Sequence, residues 1–417
     1  MEEWKEYKIK DATSILGDGI HGTPKYDDAG PVFFINGNNL ENGKIVIKDN
    51  TKRVSLEEAN KHKKPLTERT LFVSINGTLG NVARYNGESC ILGKSACYFN
   101  VKEEFDLDFI FYVVANCEFR NEIERLATGT TIKNVSLETM RNYTFYAPSL
   151  KAQKQIASIL KALDDKIEVN KRINDNLEQQ AQALFKSWFV DFEPFRNQPF
   201  IETELGMIPQ GWKVGTLFDV AEIYDRLRKP LSRKDRENME RKFPYYGATS
   251  CMDYVDNYIF DGIYTLIGED GSVIREDGLP YMQYAWGKFW VNNHAHILQG
   301  KNGFSTEMIH VLLSITNILH LVTGAVQAKL SQANMQKILL AIPPSDVLEE
   351  VRPIIGDFYE IRRKNEDESA RLASLRDTLL PRLMSGELSV DGLKGQQAVS
   401  PGQRPGSSEH VSNKIAP

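Results

Sequence analysis

Cysteine is scarce in this chain, with 4 residues among 417. Cys90, Cys97, Cys117 and Cys251 form no Cys-x-x-Cys pair, so neither a disulfide framework nor a structural zinc site is indicated. A run of about 18 consecutive apolar residues is also missing, which argues against a membrane-spanning helix. The N-terminal residues lack the basic and apolar regions of a secretory signal. These absences predict a reduced, cytoplasmic protein.

Motifs for several common chemistries are also missing. No Walker A loop is present, so ATP-driven translocation is not expected of this chain. The nearest match to the target-amine motif of an adenine methyltransferase is Ile342-Pro343-Pro344-Ser345, which lacks a leading acid or amide and an aromatic residue. It reads instead as a rigid break before a helix. His294 and His296 have no evident third ligand, so no metal site is predicted. The sequence favours binding over catalysis.

Positive charge is not in excess, because 51 Lys and Arg residues face 56 Asp and Glu residues for a net charge of −5. A DNA-binding protein can still be mildly acidic when its basic residues lie on one face. One basic group lies between Lys44 and Arg69, and a denser one lies between Arg226 and Lys242. Each group taken alone is more typical of a solvated loop, so charge by itself does not predict DNA binding.

What the chain does contain is an internal repeat. Thr128 and Thr323 are 195 residues apart. The same offset relates Gly129 to Gly324, Ser136 to Ser331, Met140 to Met335, Pro148 to Pro343, Ile159 to Ile354, Asn170 to Asn365, Leu177 to Leu372 and Leu184 to Leu379. The preceding segments match more loosely, as where Trp4-Lys5 corresponds to Trp212-Lys213. The sequence therefore predicts a tandem duplication in which two divergent globular domains alternate with two similar helices.

The two similar segments carry apolar residues at alternating three- and four-residue spacing, which is typical of coiled coils. They predict long helices over 151–193 and 346–390, each spanning about 60 Å. Helices of this length extend beyond one small domain, so an antiparallel pair is favoured over two helices packed on their own domains. The predicted seam consists of Ile156, Leu163, Asn170, Leu177, Leu184, Phe358, Asn365, Leu372 and Leu379. Buried Asn170 and Asn365 would fix the register, although an exposed seam edge is the alternative.

The globular halves are predicted to be mixed α and β, over residues 1–150 and 205–345. Short runs of Val, Ile, Phe and Tyr alternate with turn signals such as Asn36-Gly37 and Asp261-Gly262. Helices are predicted from Leu107 to Leu126 and from Ser305 to Thr323. The fold class is α+β, with the two domains separated by two antiparallel coiled-coil helices. The tail at 391–417 has a disordered composition.

Several segments resemble type I restriction-modification specificity subunits. They are Gly206-Met207-Ile208-Pro209-Gln210-Gly211-Trp212, Phe243-Pro244-Tyr245-Tyr246-Gly247-Ala248-Thr249, Tyr258-Ile259-Phe260-Asp261-Gly262, Leu266-Ile267-Gly268-Glu269-Asp270-Gly271 and Leu379-Leu380-Pro381-Arg382-Leu383-Met384-Ser385-Gly386-Glu387-Leu388. The resemblance covers about residues 1–390. It implies that each domain recognises one half of a bipartite double-stranded DNA target and that the chain has no active site of its own.

The resemblance also implies partners. Two adenine-N6 methyltransferase subunits would bring S-adenosylmethionine, and two motor-nuclease subunits would bring ATP and Mg²⁺ chemistry, while this chain holds no cofactor. A duplicated chain offers two similar docking surfaces to identical partners. The helices are the repeated part, so these surfaces are expected there. Phe185, Trp188 and Phe189 are candidate contributors, with packing in a core as the equal alternative.

Direct readout of bases would use Arg for guanine and Asn or Gln for adenine, with Lys and Arg binding phosphates. The candidate DNA contacts in loops are Lys25, Lys63, Arg69, Lys133, Arg226, Arg228, Arg233, Arg275 and Lys329. Two other classes remain open at this point. One is a scaffold that gathers proteins, and the other is a self-sufficient restriction enzyme or methyltransferase, which the missing motifs disfavour.

Overall fold

The computed structural model describes residues 3–129, 132–324 and 327–389, so the tail predicted to be disordered lies outside the described residues. The chain divides into two compact units. Unit 1 combines the residues up to Ile167 with those from Ala370 onward, and unit 2 comprises Glu168–Ser369. Each unit thus contains one globular domain and a segment of both long helices. Within the described ranges, no helix is long and apolar enough to cross a bilayer.

Domain 1, the globular part of unit 1, is built on a four-stranded antiparallel sheet. The strands of domain 1 are β1 Lys5–Lys8, β2 Thr13–Asp18, β3 Val32–Ile35, β4 Leu40–Glu41, β5 Lys44–Ile45, β6 Arg53–Val54, β7 Thr70–Ser74, β8 Val82–Arg84, β9 Cys90–Leu92, β10 Ala96–Val101 and β11 Thr144–Ala147. The main sheet has the order β2-β10-β7-β8. Strand β10 is buried along its whole length. Its amide residue, Asn100, bonds Thr70 and the Pro65 carbonyl, which satisfies the polar group inside the core.

Five short helices accompany this sheet. They are α1 Ile9–Ala12, α2 Leu56–Lys61, α3 Leu107–Ala115, α4 Cys117–Leu126 and α5 Leu137–Asn142. The prediction of one helix from Leu107 to Leu126 is wrong in one respect, because the helix is interrupted at Asn116. Asn116 has an extended backbone, and its side chain accepts a hydrogen bond from the Glu118 amide, which caps α4.

A long helix, α6 Leu150–Phe189, follows domain 1. It has 40 residues and begins close to the position predicted from the periodic pattern. The first part of α6 belongs to unit 1, where Ile156 and Leu160 are buried in the apolar core of that unit. The rest belongs to unit 2, where Phe185 and Phe189 are buried in the core of that unit.

Domain 2, the globular part of unit 2, contains a six-stranded sheet. The strands of domain 2 are β12 Phe200–Thr203, β13 Gly206–Pro209, β14 Lys213–Thr216, β15 Ala221–Ile223, β16 Phe243–Tyr246, β17 Cys251–Val255, β18 Phe260–Gly268, β19 Met282–Val291, β20 Ala295–Gly300 and β21 Leu339–Ile342. The sheet has the order β15-β20-β18-β19-β16-β17. All its pairs are antiparallel except β16 with β19.

The helices of domain 2 are α7 Leu217–Val220, α8 Arg233–Arg236, α9 Thr306–Ser314 and α10 Gln332–Met335. The helix predicted from Ser305 to Thr323 is too long. It begins after its Ser305 cap and ends at Ser314. The chain then turns, because the Ile318 amide bonds the Gly278 carbonyl, and only a short 3-10 helix, Leu319–Leu321, follows.

The second long helix, α11 Ser345–Met384, also has 40 residues. Within unit 2 it runs antiparallel to α6. The Asn170 side chain donates to the Asn365 carbonyl at 3.3 Å, and the Asn174 side chain donates to the Arg362 carbonyl at 3.2 Å. The Arg362 guanidinium reaches further along α6 to Glu178, at 2.9 Å. Later residues of one helix therefore meet earlier residues of the other, as the predicted antiparallel pair requires.

Within unit 1 the same two helices pair again. The guanidinium of Arg376 on α11 lies 2.7 Å from the carboxylate of Asp164 on α6. Asp164 also accepts a hydrogen bond from Tyr112 of α3, at 2.7 Å. Leu383 is buried in the same core as Leu160. Unit 1 is thus completed by side chains from the far end of the sequence.

Candidate nucleic-acid interface

The predicted cationic contacts of domain 1 fall into two groups. Lys25, Lys63 and Lys133 are exposed and could reach a phosphate. Arg69 could not reach a phosphate in this conformation, since its guanidinium donates to the carbonyls of Val101, Lys102 and Phe105 at 2.7–2.9 Å. We therefore correct the assignment of Arg69 to a structural role, in which it holds the loop after β10.

Domain 2 shows the same division. Arg226, Arg233, Arg275 and Lys329 are exposed. Arg233 and Arg275 form surface ion pairs with acidic neighbours on their own loops. Such exposed pairs contribute about 0–1 kcal/mol and are readily exchanged for a phosphate. Arg228 is instead largely buried in an ionic cluster. Its assignment as a DNA contact is corrected in the same way as that of Arg69.

A cation–aromatic surface in domain 2 was not among the predicted contacts. The Arg241 guanidinium lies over the Tyr254 ring at 5.6 Å, and the Lys288 ammonium lies over Tyr258 at 4.5 Å. Tyr254 is exposed on β17. Arg241 lies in the denser basic group of the sequence, but its proximity to Tyr254 depends on the β16–β17 pairing, which the sequence does not reveal.

The buried cluster around Arg228 lies at the ends of three strands. One Arg228 nitrogen lies 2.6 Å from the Glu269 carboxylate and 2.7 Å from the Ala295 carbonyl. Asp225 contacts the His296 ring at 2.5 Å and accepts from Gln332 at 2.6 Å. Two acids and two bases thus neutralise one another within the domain.

The electrostatics of this cluster are dominated by burial and by pairing. Burial alone would raise the pKa of Asp225, but the His296 hydrogen bond and charge, the Arg228 charge and the Gln332 hydrogen bond outweigh it, so the pKa is lowered. The two His296 ring nitrogens face the Asp225 carboxylate and the Leu330 carbonyl. Both neighbours are hydrogen-bond acceptors.

Asp225, Glu269 and His296 could also be considered as metal ligands, because one donor atom of each lies within 4.8 Å of the others. Their donor atoms already bond protein groups, and the Arg228 guanidinium supplies the positive charge. This donor set fits an arginine-centred salt cluster better than a metal centre. His294 lies in the turn before β20 and contacts Asp270 instead of His296.

Domain 1 has an equivalent place, which the strand registers identify. Cys97 of β10 pairs with Asp18, and Asp225 lies at the matching point beside His296 of β20. Ser74 pairs with Ala96 as Gly268 pairs with Ala295, so the residues that follow β7 and β18 also correspond. The bridges Thr128–Asn134 and Thr323–Lys329 match as well.

We call these two equivalent places corner 1 and corner 2. Corner 1 consists of Asp18, His21, Ile75, Asn76, Asn134 and Leu137. Corner 2 consists, in the same order, of Asp225, Arg228, Glu269, Asp270, Lys329 and Gln332. Corner 1 borders an open pocket of about 460 Å³, which Lys94, Val135 and Ser136 also line. The space occupied by ionic side chains in corner 2 is therefore left open in corner 1.

Polar groups remain at the mouth of corner 1. His21 is exposed and contacts Asp18 at 2.6 Å, so it turns outward where Arg228 turns inward. The Asn76 amide donates to the Asn134 side chain at 3.1 Å. Neither asparagine was among the candidate residues. The only available signal was that both flank turns repeated in the two halves.

Three predicted docking residues lie at the end of α6. Phe185 and Phe189 are not outward-facing, because both are buried in the core of unit 2, where Phe189 packs against Trp212 and Phe304. Trp188 is half-buried and makes an edge contact with Phe195. The alternative of core packing therefore describes Phe185 and Phe189.

The predicted seam residues are buried or half-buried. Ile156 and Asn170 are buried, and the half-buried ones are Leu163, Leu177, Leu184, Phe358, Asn365, Leu372 and Leu379. Other apolar residues of the long helices are exposed, at Val169, Ile173, Ile354 and Ile361 in unit 2 and Leu375 in unit 1. These five positions form the exposed apolar set used below.

Comparison with known families places the geometry in context. The profile described as "Type I restriction modification DNA specificity domain" matches residues 1–179 and again residues 209–367. The specificity subunit of the type I restriction enzyme MjaIX from Methanocaldococcus jannaschii is 24% identical over an alignment of 422 positions. The alignment covers 94% of this chain and 95% of that protein. The HindI specificity subunit from Haemophilus influenzae is 23% identical and covers 67% of this chain and 77% of its own length.

A solved structure supports the fold. The crystal structure of a type I restriction-modification S subunit from M. genitalium superposes with a TM-score of 0.54 and 19% sequence identity. The match covers 92% of this chain and 96% of that one. The duplicated α+β architecture with two long helices is therefore shared with a known S subunit.

Proposed function

The chain belongs to the type I restriction-modification DNA specificity family, and from that premise we propose that its two domains read the two halves of one bipartite DNA site. The observation that carries the proposal is the double family match over two domains with equivalent strand frameworks but different side chains at equivalent strand ends. One framework used twice with different polar groups is what recognition of two unlike half-sites requires. The role is specificity, while catalysis belongs to partner subunits.

Phosphate contacts would set the position of each domain on the duplex. We propose the exposed members of the predicted set for this task, now that Arg69 and Arg228 have structural roles. They are Lys25, Lys63, Lys133, Arg226, Arg233, Arg275 and Lys329. Arg241 and Lys288, each lying over an exposed or half-buried tyrosine, are added to this set.

The long helices would bind the partners. We propose that two methyltransferase subunits dock on them, because a duplicated chain presents two similar surfaces to identical partners. The exposed apolar set Val169, Ile173, Ile354, Ile361 and Leu375 supports this assignment, since apolar side chains on a helix surface favour burial by another helix. These residues replace Phe185 and Phe189 as proposed contacts.

S-adenosylmethionine would then enter with the methyltransferase subunits. ATP and Mg²⁺ would enter with two motor-nuclease subunits, and the complex would work on chromosomal DNA in the cytoplasm. The helices would also act as a spacer, which places the half-sites about one helical turn apart.

Methylome mapping tests the proposal. The chain is co-expressed with its cognate methyltransferase in a host free of adenine methylation, and N6-methyladenine is mapped over the whole genome. The expected result is one bipartite motif, methylated on both strands and absent when this chain is omitted. An assembled complex that adds no motif would contradict the proposal.

A protein scaffold remains the competing class, and salt dependence separates the two. Binding through phosphates releases counterions, so the affinity for DNA should fall steeply between about 50 and 200 mM salt. Measuring binding to a duplex that contains the mapped motif, with a duplex of scrambled sequence as control, gives both the slope and the specificity ratio. A flat salt response and equal affinities would favour the scaffold.

A further inference from the structure

The Asn76–Asn134 pair in corner 1 is held in place by the backbone around it. The Gly77 amide bonds the Lys133 carbonyl at 3.0 Å, and Asn76 and Asn134 form an isolated antiparallel bridge. Gly77 has a φ of +77°, which glycine adopts without strain. A turn of fixed geometry therefore presents the two amides side by side at the mouth of the open pocket.

The hydrogen bond between the two side chains uses one group of each amide. The Asn76 NH₂ donates to the Asn134 oxygen at 3.1 Å, which leaves the Asn134 NH₂ and the Asn76 oxygen. Among the described residues, no protein group bonds these two remaining atoms. If both amides were rotated by 180°, the bond would run the other way and would again leave one donor and one acceptor. The pair thus offers one donor beside one acceptor in either orientation.

One base presents the complementary pattern in the major groove. Adenine has the N7 acceptor next to the N6 amino donor, whereas guanine shows two acceptors. Cytosine shows a single donor, and thymine shows an acceptor beside a methyl group. On adenine the free amino group and the free carbonyl oxygen of the pair both find a partner, whereas on each other base only one of these two groups does.

We propose that Asn76 and Asn134 together read one adenine of the half-site recognised by domain 1, an assignment that rests on the proposed function. In other DNA-binding proteins a single Asn or Gln makes both hydrogen bonds to adenine. Here Asn76 and Asn134 each make one of the two. The pocket behind them gives the base edge room to approach, because Ile75 and Leu137 leave the space open.

Domain 2 carries a different pair at the same positions. Asp270 and Lys329 form the equivalent bridge, and Gly271, with a φ of +78°, bonds the Ala328 carbonyl as Gly77 bonds that of Lys133. A carboxylate accepts from the cytosine amino group, and a lysine donates to guanine. Asp270 contacts the His294 ring and Lys329 lies 3.5 Å from the Glu269 carboxylate, so both would exchange these partners for a base. On the same proposal we expect a G·C or C·G pair at the equivalent position of the other half-site.

The first experiment compares methylome maps of four complexes, each assembled with the full chain: the wild type, Asn134→Asp, Asn86→Asp and Asp270→Asn. Asn134→Asp removes the free donor of the pair and leaves two acceptors. The expected result is loss of adenine preference at one position of one half-site, with the other half-site unchanged. Asn86→Asp, in the exposed turn after β8 and outside the pocket lining, adds the same charge and is expected to leave the motif intact.

Asp270→Asn in domain 2 is expected to change the methylated motif only in the other half-site. The variant therefore shows which half-site domain 2 reads. If the Asn134→Asp motif equals that of the wild type at every position, the adenine assignment is overturned while the proposed function stands. If the wild-type chain produces no motif at all, the proposed function itself fails. The two failures are therefore distinguishable.

A second experiment needs no variant and so does not depend on how a substituted chain folds. Duplexes carry 7-deazaadenine, which lacks the N7 acceptor, or purine, which lacks the N6 amino group, at each adenine of the half-site in turn. Each analogue is expected to weaken binding of the wild-type complex roughly 5- to 100-fold at a single shared position. At that position Asn134→Asp should no longer respond to 7-deazaadenine. If both analogues bound as tightly as adenine itself at every position, the proposal would be overturned.

Discussion

Corner 1 and corner 2 show how one backbone framework supports two different electrostatic solutions. Both begin with an aspartate at the end of a strand, Asp18 or Asp225, and both place a basic residue three positions later. In corner 2, Glu269 gives that base a buried partner, so Arg228 turns inward and fills the space. In corner 1, Ile75 offers no charge, so His21 turns outward and a pocket remains.

The comparison teaches that a second carboxylate decides where the base goes. A guanidinium leaves water only when its charge is matched and its donors are satisfied. Arg228 meets that condition with Glu269, Asp225 and three backbone carbonyls. Divergence between the domains therefore changes the chemistry of the strand ends without changing the register of the strands.

Removing the base from each corner is expected to give the largest difference. Arg228→Met removes the guanidinium that pairs with both Asp225 and Glu269, which should lower the free energy of unfolding of unit 2 by about 3–5 kcal/mol. His21→Met removes an exposed contact and should cost less than about 1 kcal/mol. Urea unfolding with hydrogen exchange of peptides from each unit measures both. Equal costs would mean that Arg228 is not the central partner of corner 2.

Adding the missing carboxylate to corner 1 should have the next largest effect. Ile75 is buried, so Ile75→Glu places an unpaired acid beside the pocket and should destabilise unit 1 by roughly 2 kcal/mol. Combining it with His21→Arg supplies the guanidinium and should recover at least half of that loss. A double-mutant cycle measures the coupling between the two substitutions. Additive costs would show that the framework alone does not draw the base inward.

Lowering the pH should reduce the unfolding free energy of unit 2 more than that of unit 1. This difference is expected to be smaller than those caused by the substitutions above. His310 of α9 corresponds to Phe111 of α3, since both are the fifth residue after a capped helix start. Burial, together with the nearby Arg362 charge, lowers the pKa of His310 to about 3. The ring is neutral in the folded protein and gains a proton on unfolding below about pH 6.5. This stabilisation is therefore complete above pH 6.5 and declines as the pH falls towards 3.

The expected slope is at most about 1.4 kcal/mol of unfolding free energy per pH unit for unit 2. His310→Phe, which copies the residue of domain 1, should flatten it. Unfolding at pH 7, 6 and 5, followed by hydrogen exchange of the α9 peptide, gives the slope. An unchanged slope in the variant would assign the acid sensitivity to other groups.

Much of the fold could be predicted from the sequence because it depends on local or periodic signals. The seam spacing and the 195-residue offset revealed the long helices and the duplication, since neither signal needs tertiary information. The break at Asn116 was missed because a capping residue in an apolar run resembles an ordinary helical position. Phe185 and Phe189 were misassigned since a helical period shows which residues share a face and not which face is covered.

The site was less predictable than the fold. Arg69 and Arg228 look like free cations in the sequence, but apart from Asp225 their partners lie 32 to 67 residues away. Asn76 and Asn134 lie 58 residues apart, and the bridge that joins them is set by the fold. Residues that act in pairs across loops leave no spacing pattern by which the sequence could identify them.

The division of unit 1 has a consequence for the order in which the protein folds. Unit 2 is one continuous segment of chain, whereas unit 1 depends on contacts such as Asp164 with Arg376, which are 212 residues apart. At about 5–20 residues per second, the ribosome needs roughly 10 to 40 s to synthesise that interval. We expect domain 1 to emerge first and to be completed last, with the apolar residues around Leu160 exposed until Leu383 arrives. The N-terminal half of the chain is therefore the part that most needs protection by chaperones during synthesis.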